Sequence, residues 1–290
     1  MVKRRRWKSK LQVRGVIMKK VVKFGGSSLA NAEQFQKVGD IIRSDESRRY
    51  VVPSAPGKRF DEDIKVTDML YGCYDAASKG EDITEKINAI KARYYEIIKG
   101  LGLSLSLEEE FKKIDEDFRA QAGIQYAASR GEFLNGKIMA AYLGYDFVDA
   151  ASVIRFDKAG NLEAEETNKL LSKKLSKSQH AVIPGFYGAC ADGTVKTFSR
   201  GGSDVTGSLV AKAIHADIYE NWTDVSGFLV TDPRIVHNPE PIEAITYREL
   251  RELSYMGATV LHEDAIFPVR KEGIPINIRN TNSPEDKGTL

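Results

Sequence analysis

One segment near the N-terminus constrains the fold of this chain more than any other. The short run Lys20–Phe24 contains two valines and leads directly into the glycine pair Gly25-Gly26. From Asn31 onward, apolar residues recur at a spacing of three and four positions. Such a run is typical of a buried strand, whereas the spacing after it indicates an amphipathic helix. The order strand, glycine turn, helix predicts the opening unit of an α/β domain.

The same alternation continues along the chain. Further strands are predicted at 50–55, 146–149, 181–187, 216–222 and 274–278, with a tight hairpin turn at Asp192-Gly193. Helices are predicted within 81–121, with a break at 100–102, and at 131–143, 203–215 and 250–262. An exposed, mobile loop is predicted from Pro53 through Lys65. This pattern predicts a mainly parallel sheet covered by helices on both faces.

Charge divides the 290 residues into two parts. Residues 1–18 carry seven basic side chains and no acidic one, and the rest of the chain carries 36 basic and 41 acidic residues. The formal net charge of +2 therefore belongs to a basic extension, and the remainder is net acidic. We expect 1–18 to be disordered or a non-native start and 19–290 to be one folded domain. A nucleic-acid partner would require basic residues across a folded face, so none is expected.

Cysteine usage and hydropathy narrow the class of protein further. Cys73 and Cys190 are far apart and form no CxxC pattern, which argues against a disulfide framework or a zinc site. This usage fits a reducing compartment, and we expect a cytoplasmic protein. No run of about 18 apolar residues occurs, so no membrane partner is expected.

The glycine pair after the first strand is a candidate phosphate-binding turn. Glycine allows close backbone approach, and the N-terminus of the following helix contributes partial positive charge. Lys23, just before the pair, could reach a phosphate as a point charge. Because that partner would be a ligand, the ligand-free fold is not expected to need the Lys23 charge. A turn with no ligand explains the same glycines equally well.

A second glycine cluster precedes the helix predicted from residue 203. It combines Arg200, suited to forked recognition of a carboxylate or phosphate, with Gly201, Gly202 and Asp204. Asp204 could alternatively be an ordinary helix cap. Two such turns in one domain suggest opposite walls of a phosphoryl-transfer site.

Other nucleotide and catalytic motifs are absent or incomplete. No GxGxxG occurs, and residues 131–138 almost match a P-loop, but Ile138 occupies the position of the Mg²⁺-ligating hydroxyl. We interpret that match as chance. The four histidines have no metal-ligand spacing, no GxSxG elbow is present, and no metal-binding residues are predicted.

A longer series of motifs follows one order along nearly all of 19–290. It comprises Lys23–Ser28, Ser54–Gly57 with Val66–Asp68, Ser129–Glu132, Pro184–Phe186, Arg200–Asp204, Trp222–Gly227, Thr231–Arg234, Gly257–His262, and Asn280-Thr281 before Gly288-Thr289. In this ordered set the chain resembles the aspartokinase family, within the amino-acid kinase superfamily. The resemblance implies a three-layer α/β/α domain around a mostly parallel sheet of eight strands. It also implies ATP-dependent phosphorylation of the β-carboxylate of L-aspartate, with Mg²⁺ accompanying ATP, as the first step toward lysine, threonine and methionine.

The resemblance also implies roles for individual residues. Lys23 and Asp204 match catalytic positions. The aspartate side is matched by Ser28, Thr67, Glu132 and Arg200. The nucleotide side is matched by Lys23, Gly25, Gly26, Ser27, Thr223, Asp224, Leu229 and Arg234. A β-carboxylate has a reference pKa near ~4 and is already an anion at neutral pH, so it needs no general base. That agrees with the lack of an evident catalytic histidine or cysteine.

Departures from the family pattern concern nucleotide affinity more than reaction type. Leu229 stands where some members have an aromatic residue beside the nucleotide, and Thr259 where many have a lysine. Members usually continue into two regulatory ACT domains, and we expect this chain to be an isolated catalytic domain. A homo-oligomer is left open. Two alternative functions also stay open: a related kinase acting on N-acetylglutamate, glutamate or UMP, and a non-catalytic nucleotide-binding module.

Overall fold

The computed structural model describes residues 18–199, 201–231, 235–237, 239–255, 261 and 263–290. The basic extension up to residue 17 lies outside these ranges, as do Arg200, Arg234 and Thr259. None of the described helices is both long and apolar enough to cross a membrane.

Strands and helices alternate through the described residues. The strands are β1 (Lys20–Phe24), β2 (Arg48–Pro53), β3 (Asp146–Phe147), β4 (Ala181–Val182), β5 (Tyr187–Ala189), β6 (Val195–Thr197), β7 (Ile218–Thr223) and β8 (Ile276–Asn280). The helices are α1 (Ala32–Arg43), α2 (Val66–Ser78), α3 (Thr84–Gly100), α4 (Glu108–Arg119), α5 (Ile124–Leu143), α6 (Ala150–Val153), α7 (Ala164–Leu175), α8 (Gly202–Ala213), α9 (Tyr247–Tyr255) and α10 (Glu263–Glu272). A 3₁₀ turn, Ser27–Leu29, connects the first glycine pair to α1.

The central sheet has six strands in the order β3-β4-β2-β1-β7-β8, and every described pairing within it is parallel. β1 lies between β2 and β7, so both of its edges are hydrogen-bonded. The parallel α/β fold is therefore confirmed. The expected eight-stranded sheet is not what the described residues form, because β5 and β6 pair antiparallel as a separate two-stranded sheet. This hairpin turns through Asp192-Gly193, as the sequence predicts.

Helices cover both faces of the sheet and form two hydrophobic cores. Val21 of β1 faces a core that also contains residues of α7, α8 and α10. Its neighbours Val22 and Phe24 face the other core, which is built with α1 to α5. Because side chains alternate along a strand, Lys23 lies on the same face as Val21, toward α8. The three-layer arrangement thus determines which helix Lys23 meets.

Several helices differ from the sequence prediction. The sequence analysis assigns no helix to α2, α6 or α7, although Val66, Leu70 and Cys73 have helical spacing and are buried. Helix α5 begins at Ile124, seven residues before the predicted start at 131. Its middle is buried almost all round, polar residues such as Ser129 included, so the helix lacks the one-sided apolar stripe that predicts an amphipathic helix. The near P-loop at 131–138 lies inside this helix and is not a phosphate loop.

A buried ion-pair network joins the starts of β1 and β2 to the middle of β7. The Glu220 carboxylate accepts from Arg48 Nε at 2.8 Å and lies 3.1 Å from Lys20 Nζ. It also accepts from the Trp222 indole N–H at 2.9 Å. Burial raises the pKa of Glu220, but Arg48 and Lys20 outweigh burial and lower it overall. The carboxylate therefore remains charged and ties three strands together.

We expect Glu220→Gln to lower the free energy of unfolding by about 3–5 kcal/mol, because it leaves the buried Arg48 cation without its counter-charge. Glu33→Gln is the matched control, since it removes only the exposed pair with Lys37, and it should cost under about 0.5 kcal/mol. Urea denaturation at pH 7 measures both. Equal losses in the two variants would contradict the structural role of Glu220.

Candidate active site

Three of the sequence motifs leave the sheet at the same edge. β1 ends at Phe24, which is paired with Pro53 of β2 and with Trp222 of β7. The first glycine pair, the segment 54–65 and Asp224 follow these strands. In open parallel sheets, ligands bind in the crevice outside the carboxyl ends of the strands. This edge is therefore the place where a ligand site is expected.

The glycines of the first two motifs pack backbone against backbone. The Gly57 N–H donates to the Gly26 carbonyl at 2.8 Å. A Cβ on Gly57 would lie 2.6 Å from the Gly26 carbonyl carbon, and one on Gly26 would lie 3.0 Å from the Ala55 carbonyl oxygen. Gly26 itself has ordinary right-handed dihedral angles. These two positions thus need glycine because the neighbouring loop approaches closely, with no ligand required to explain them.

A cavity of about 410 Å³ opens beside this contact. It brings together several residues that the resemblance assigns to opposite sides of a reaction. Its lining comprises Gly26, Ser27, Ser54, Ala55, Pro56, Gly57, Lys58, Lys65, Thr67, Glu132 and Asp224. Thus Thr67 and Glu132 share one cavity with Gly26, Ser27 and Asp224.

Lys23 is buried in a three-residue polar contact. Its ammonium lies 2.7 Å from Asp204 Oδ1 and donates to Asn221 Oδ1 at 3.4 Å. The Asn221 amide donates to the same Asp204 oxygen at 3.0 Å. The sequence analysis expects a ligand phosphate as the partner of Lys23, and the structure adds a partner within the protein, Asp204.

The second glycine cluster positions Asp204 within this contact. Gly201 has φ of +55° and precedes the first residue of α8, a left-handed conformation that favours glycine. No side-chain cap bond is made at this helix start, and Asp204 instead directs its carboxylate to Lys23 and Asn221. The alternative interpretation of Asp204 as a helix cap is thereby excluded. Arg200, just before this turn, lies outside the described residues.

Glu132 lines the cavity from within helix α5 and is only 6% exposed. One of its carboxylate oxygens, Oε2, is buried without a hydrogen-bond partner among the described residues. Burial raises the pKa of Glu132 to about 8, although a hydrogen bond from the Ala55 backbone acts in the opposite direction. An unsatisfied buried carboxyl is costly, so this group is suited to a cationic or hydrogen-bond-donating ligand.

The segment 54–65 is anchored by helix α3. The buried Arg93 guanidinium donates to the Gly57 carbonyl at 3.0 Å, to the Ile64 carbonyl at 3.2 Å and to Asp63 at 2.9 Å. Arg59 also binds Asp63, and its hydrogen bonds hold the pKa of that carboxyl well below the usual range. The exposed loop predicted from sequence is therefore tied at both ends of its 57–64 portion.

Four further predicted residues do not line the cavity: Gly25, Ser28, Thr223 and Leu229. The Gly25 N–H donates to the Trp222 carbonyl at 3.0 Å, and the Thr223 hydroxyl donates to Asp224 at 3.1 Å. Ser28 is buried, and its hydroxyl bonds the Thr281 hydroxyl at 2.8 Å. Leu229 is 38% exposed and forms a β-bridge with Pro241. Arg234 lies outside the described residues.

Sequence reasoning missed three residues of this region. Lys58 and Lys65 add two cations to the cavity lining, and Asn221 completes the contact around Lys23. The signal for Asn221 was available, since a polar residue in a strand of a parallel sheet must find a partner. The two lysines lie in the loop that was interpreted only as exposed.

Two other observations bear on where the active site lies and what it can bind. A second cavity of about 430 Å³, mainly apolar, lies between β8, α9 and Leu290, and none of the predicted site residues lines it. Among the described residues, no group of three or more histidines, cysteines or carboxylates could hold a metal ion. The polar cavity at the strand ends is therefore the candidate active site.

Comparison with known proteins now identifies the family. The profile of the amino acid kinase family matches residues 18–280. The chain belongs to the amino acid kinase family. Among its curated relatives, it is 40% identical to Aspartokinase 3 of Bacillus subtilis, an alignment that covers 93% of this chain and 63% of the relative. The resemblance to aspartokinases drawn from the motifs is confirmed.

Solved structures of family members agree with this assignment. Aspartate kinase from Clostridium acetobutylicum superposes with a TM-score of 0.90 at 54% identity, covering 93% of this chain and 62% of the other. Aspartokinase III of E. coli, solved with aspartate and ADP, has a TM-score of 0.81 at 28% identity, covering 94% and 64%. This amino acid kinase chain thus spans somewhat under two thirds of the length of these relatives. A uridylate kinase from Archaeoglobus fulgidus, 17% identical with a TM-score of 0.53, shares the fold.

We expect Gly57→Ala to lower the midpoint temperature of unfolding by several degrees, because the added methyl would overlap the Gly26 backbone and force the two loops apart. Gly72→Ala is the control. Gly72 lies within α2 with no atom near its missing Cβ, so alanine there should be neutral or stabilising by up to about 1 kcal/mol. Thermal unfolding followed by circular dichroism measures both. An unchanged midpoint for Gly57→Ala would show that the close contact between the loops is dispensable.

Proposed function

We propose that this chain catalyses transfer of the γ-phosphoryl group of ATP to the β-carboxylate of L-aspartate, forming 4-phospho-L-aspartate. One observation carries the proposal: a single cavity is lined both by Thr67 and Glu132 and by Gly26, Ser27 and Asp224. The aspartokinases among its relatives support the choice of substrate. We extend the proposal to a role in lysine, threonine and methionine synthesis in the cytoplasm.

The proposed reaction requires positioning and charge neutralisation more than proton transfer. An oxygen of the aspartate β-carboxylate forms a bond to the γ-phosphorus, while the bond from phosphorus to the β,γ-bridging oxygen breaks and ADP departs with that electron pair. The acceptor is already ionised at neutral pH, so no group must remove a proton. The main barrier is the approach of two anions, which fixed positive charges and backbone dipoles lower.

The predicted site residues suit distinct parts of this chemistry. Lys23 supplies the cation for the transferring phosphoryl group, and Asp204 orients it. The turn formed by Gly25, Gly26 and Ser27 receives the phosphates, with Thr223, Leu229 and Arg234 further along the nucleotide.

On the other side, Glu132 binds the substrate ammonium. Thr67 and Ser28 belong to the aspartate side, where Ser28 acts through its bond to Thr281. Arg200 pairs with the α-carboxylate.

Magnesium fits this site as a companion of ATP. Mg²⁺ retains several waters and binds through substrate phosphates plus one or two protein carboxylates. Asp224 is a carboxylate of the cavity lining beside Ser27, and it is the residue that would hold the ion. When bound, the ion neutralises charge on the phosphates.

A coupled hydroxamate and ADP-release assay tests the function. The purified chain is given Mg·ATP with aspartate, glutamate, N-acetylglutamate or UMP as separate acceptors. Acyl phosphate trapped by hydroxylamine with aspartate alone is the expected result. Acyl phosphate with glutamate or N-acetylglutamate, or ADP release with UMP, would identify a related kinase instead. Nucleotide binding without turnover of any acceptor would identify a non-catalytic module.

We expect Lys23→Ala to lower kcat about 10²–10³-fold, since it removes a preorganised charge from the transferring phosphoryl group. It should also lower thermal stability, because Asp204 loses its buried counter-charge and keeps the Asn221 amide as a donor. Lys37→Ala, on the exposed face of α1, is the matched control and should change neither quantity. A Lys23→Ala variant with near-normal kcat would remove this residue from the mechanism.

We expect the KM for aspartate to fall as pH rises from 6 toward 8 and then to level off. An ammonium group requires ionised Glu132, whose pKa without ligand is about 8, so at pH 6 binding must first displace a proton. Linkage gives a slope of up to about tenfold per pH unit below the pKa. In Glu132→Gln, KM should be high and nearly independent of pH, whereas Glu33→Gln should behave as the wild type. A wild-type KM that is flat between pH 6 and 8 would contradict this role.

The same shift predicts how the ligand-free protein responds to pH. The folded pKa of Glu132 lies above the ordinary carboxyl value, so ionisation opposes folding between about pH 4.5 and the folded pKa. The contribution of Glu132 to stability is therefore present at low pH and is lost as pH rises. Urea denaturation of wild type and Glu132→Gln across this range should show that the substitution removes part of the slope.

A further inference from the structure

Asn221 is a buried polar residue that neither the motifs nor the proposed mechanism uses. It lies on β7 and is 2% exposed, and it faces the same side of the sheet as Tyr219. Strands of parallel sheets are usually continuous apolar runs, because both of their faces are covered. An amide at such a position costs stability unless it is hydrogen-bonded. The Asn221 amide therefore requires hydrogen-bond partners, and it has two, Lys23 and Asp204.

Strand register places Asn221 directly beside Lys23. The two residues are paired neighbours on β7 and β1, so their side chains leave the sheet side by side on one face. Asp204, in the first turn of α8, contacts both side chains. The result is a closed triangle: Lys23 to Asp204 at 2.7 Å, Asn221 to Asp204 at 3.0 Å, and Lys23 to Asn221 at 3.4 Å.

The amide is chemically suited to this triangle because it both donates and accepts. Its N–H₂ group faces the anion Asp204 and its carbonyl oxygen faces the cation Lys23. An ammonium has three N–H donors. Two of them are directed at Asp204 and Asn221, which leaves the third for a ligand. With only Asp204 as partner, the ammonium could rotate about its own ion pair and swing on its flexible stem.

We propose that Asn221 is a positioning residue that, together with Asp204, holds the Lys23 ammonium in the orientation needed for phosphoryl transfer. The inference rests on the proposed function, in which Lys23 meets the transferring group. A purely structural role would require only that the amide be satisfied. A positioning role predicts in addition that kcat depends on this amide while aspartate binding does not.

Two substitutions separate these roles. Asn221→Leu keeps the approximate volume and removes both hydrogen bonds, and we expect kcat to fall about 10- to 100-fold, the range for hydrogen bonds to charged groups. The KM for aspartate should stay within about twofold, because Glu132 and Thr67 are untouched. Ser208→Ala is the matched control: it removes one buried hydrogen bond, to the Ala265 carbonyl, from the same helix as Asp204. It should lower thermal stability without lowering kcat.

Asn221→Asp supplies a second test, because a merely structural role of Asn221 predicts no change in the pH dependence of kcat. The new carboxyl group is nearly isosteric, but when ionised it cannot donate to Asp204 and repels it. When protonated, it recovers a donor. The kcat of this variant relative to wild type should therefore rise as pH falls from 8 to 6. Within the part of the chain that the structure describes, the charged or titratable groups facing this position are Lys23 from β1, Asp204 from α8 and Tyr219 from β7. Burial raises the pKa of Tyr219 well above the usual value, so this phenol does not titrate in that range.

The outcomes distinguish the inference from the function on which it rests. kcat is measured with whichever acceptor of the hydroxamate panel reacts. A wild type that uses glutamate would overturn the aspartate proposal and leave the Asn221 test intact. An active wild type whose two Asn221 variants lose no more kcat than Ser208→Ala, with an unchanged pH profile, would overturn the positioning role. If Asn221→Leu does not fold, the pH dependence of Asn221→Asp decides. A wild type that transfers phosphate to no acceptor would overturn both.

Discussion

The pairing of β1 with a parallel strand on each side brings the three strand ends of the candidate site together. Lys23, at the penultimate position of this strand, has Val52 of β2 on one side and Asn221 of β7 on the other. A shift of one residue in either register would turn Lys23 toward the opposite core, where Val22 and Phe24 lie among apolar side chains. The register of β1 with its two neighbours is thus required both for the packing of the core and for the position of Lys23.

Two buried charge clusters use the two faces of the same pair of strands. On one face, near the start of β1, Glu220 is bound by Arg48, Lys20 and the Trp222 indole. On the other face, at the carboxyl end of β1, Lys23 meets Asp204 and Asn221. The first cluster joins three strands and serves the fold. The second leaves one of the three N–H donors of the Lys23 ammonium for a ligand, which the proposed phosphoryl transfer requires.

The sequence predicted the parts of the protein that depend on local pattern. The alternation of strand and helix, the glycine turn after β1 and the Asp192-Gly193 hairpin all follow from short-range chemistry. The start of α5 was misplaced, since a helix buried on most sides loses the periodicity that marks an amphipathic one. The roles of Gly26 and Gly57 were also interpreted too narrowly, because only the structure shows that each makes room for the other.

The residues of the site also divide into those that the sequence predicted and those whose contacts only the structure shows. Thr67, Glu132, Gly26, Ser27 and Asp224 were selected through motif resemblance, and the structure brings them to one cavity. The pairing of Lys23 with Asp204 spans most of the chain, so no spacing in the sequence could reveal it. The raised pKa of Glu132 likewise depends on burial by distant segments. Long-range contacts and local dielectric environment are the quantities that a single sequence leaves undetermined.

The hydrogen bonds of Arg93 link helix α3 to the loop that lines the candidate site. The Arg93 guanidinium on α3 donates a hydrogen bond to the Gly57 carbonyl, and the Gly57 N–H donates one to the Gly26 carbonyl. Two hydrogen bonds in series therefore connect α3 to the turn that follows β1. The position of a turn that lines the cavity is therefore set in part by Arg93, a residue that does not itself line it.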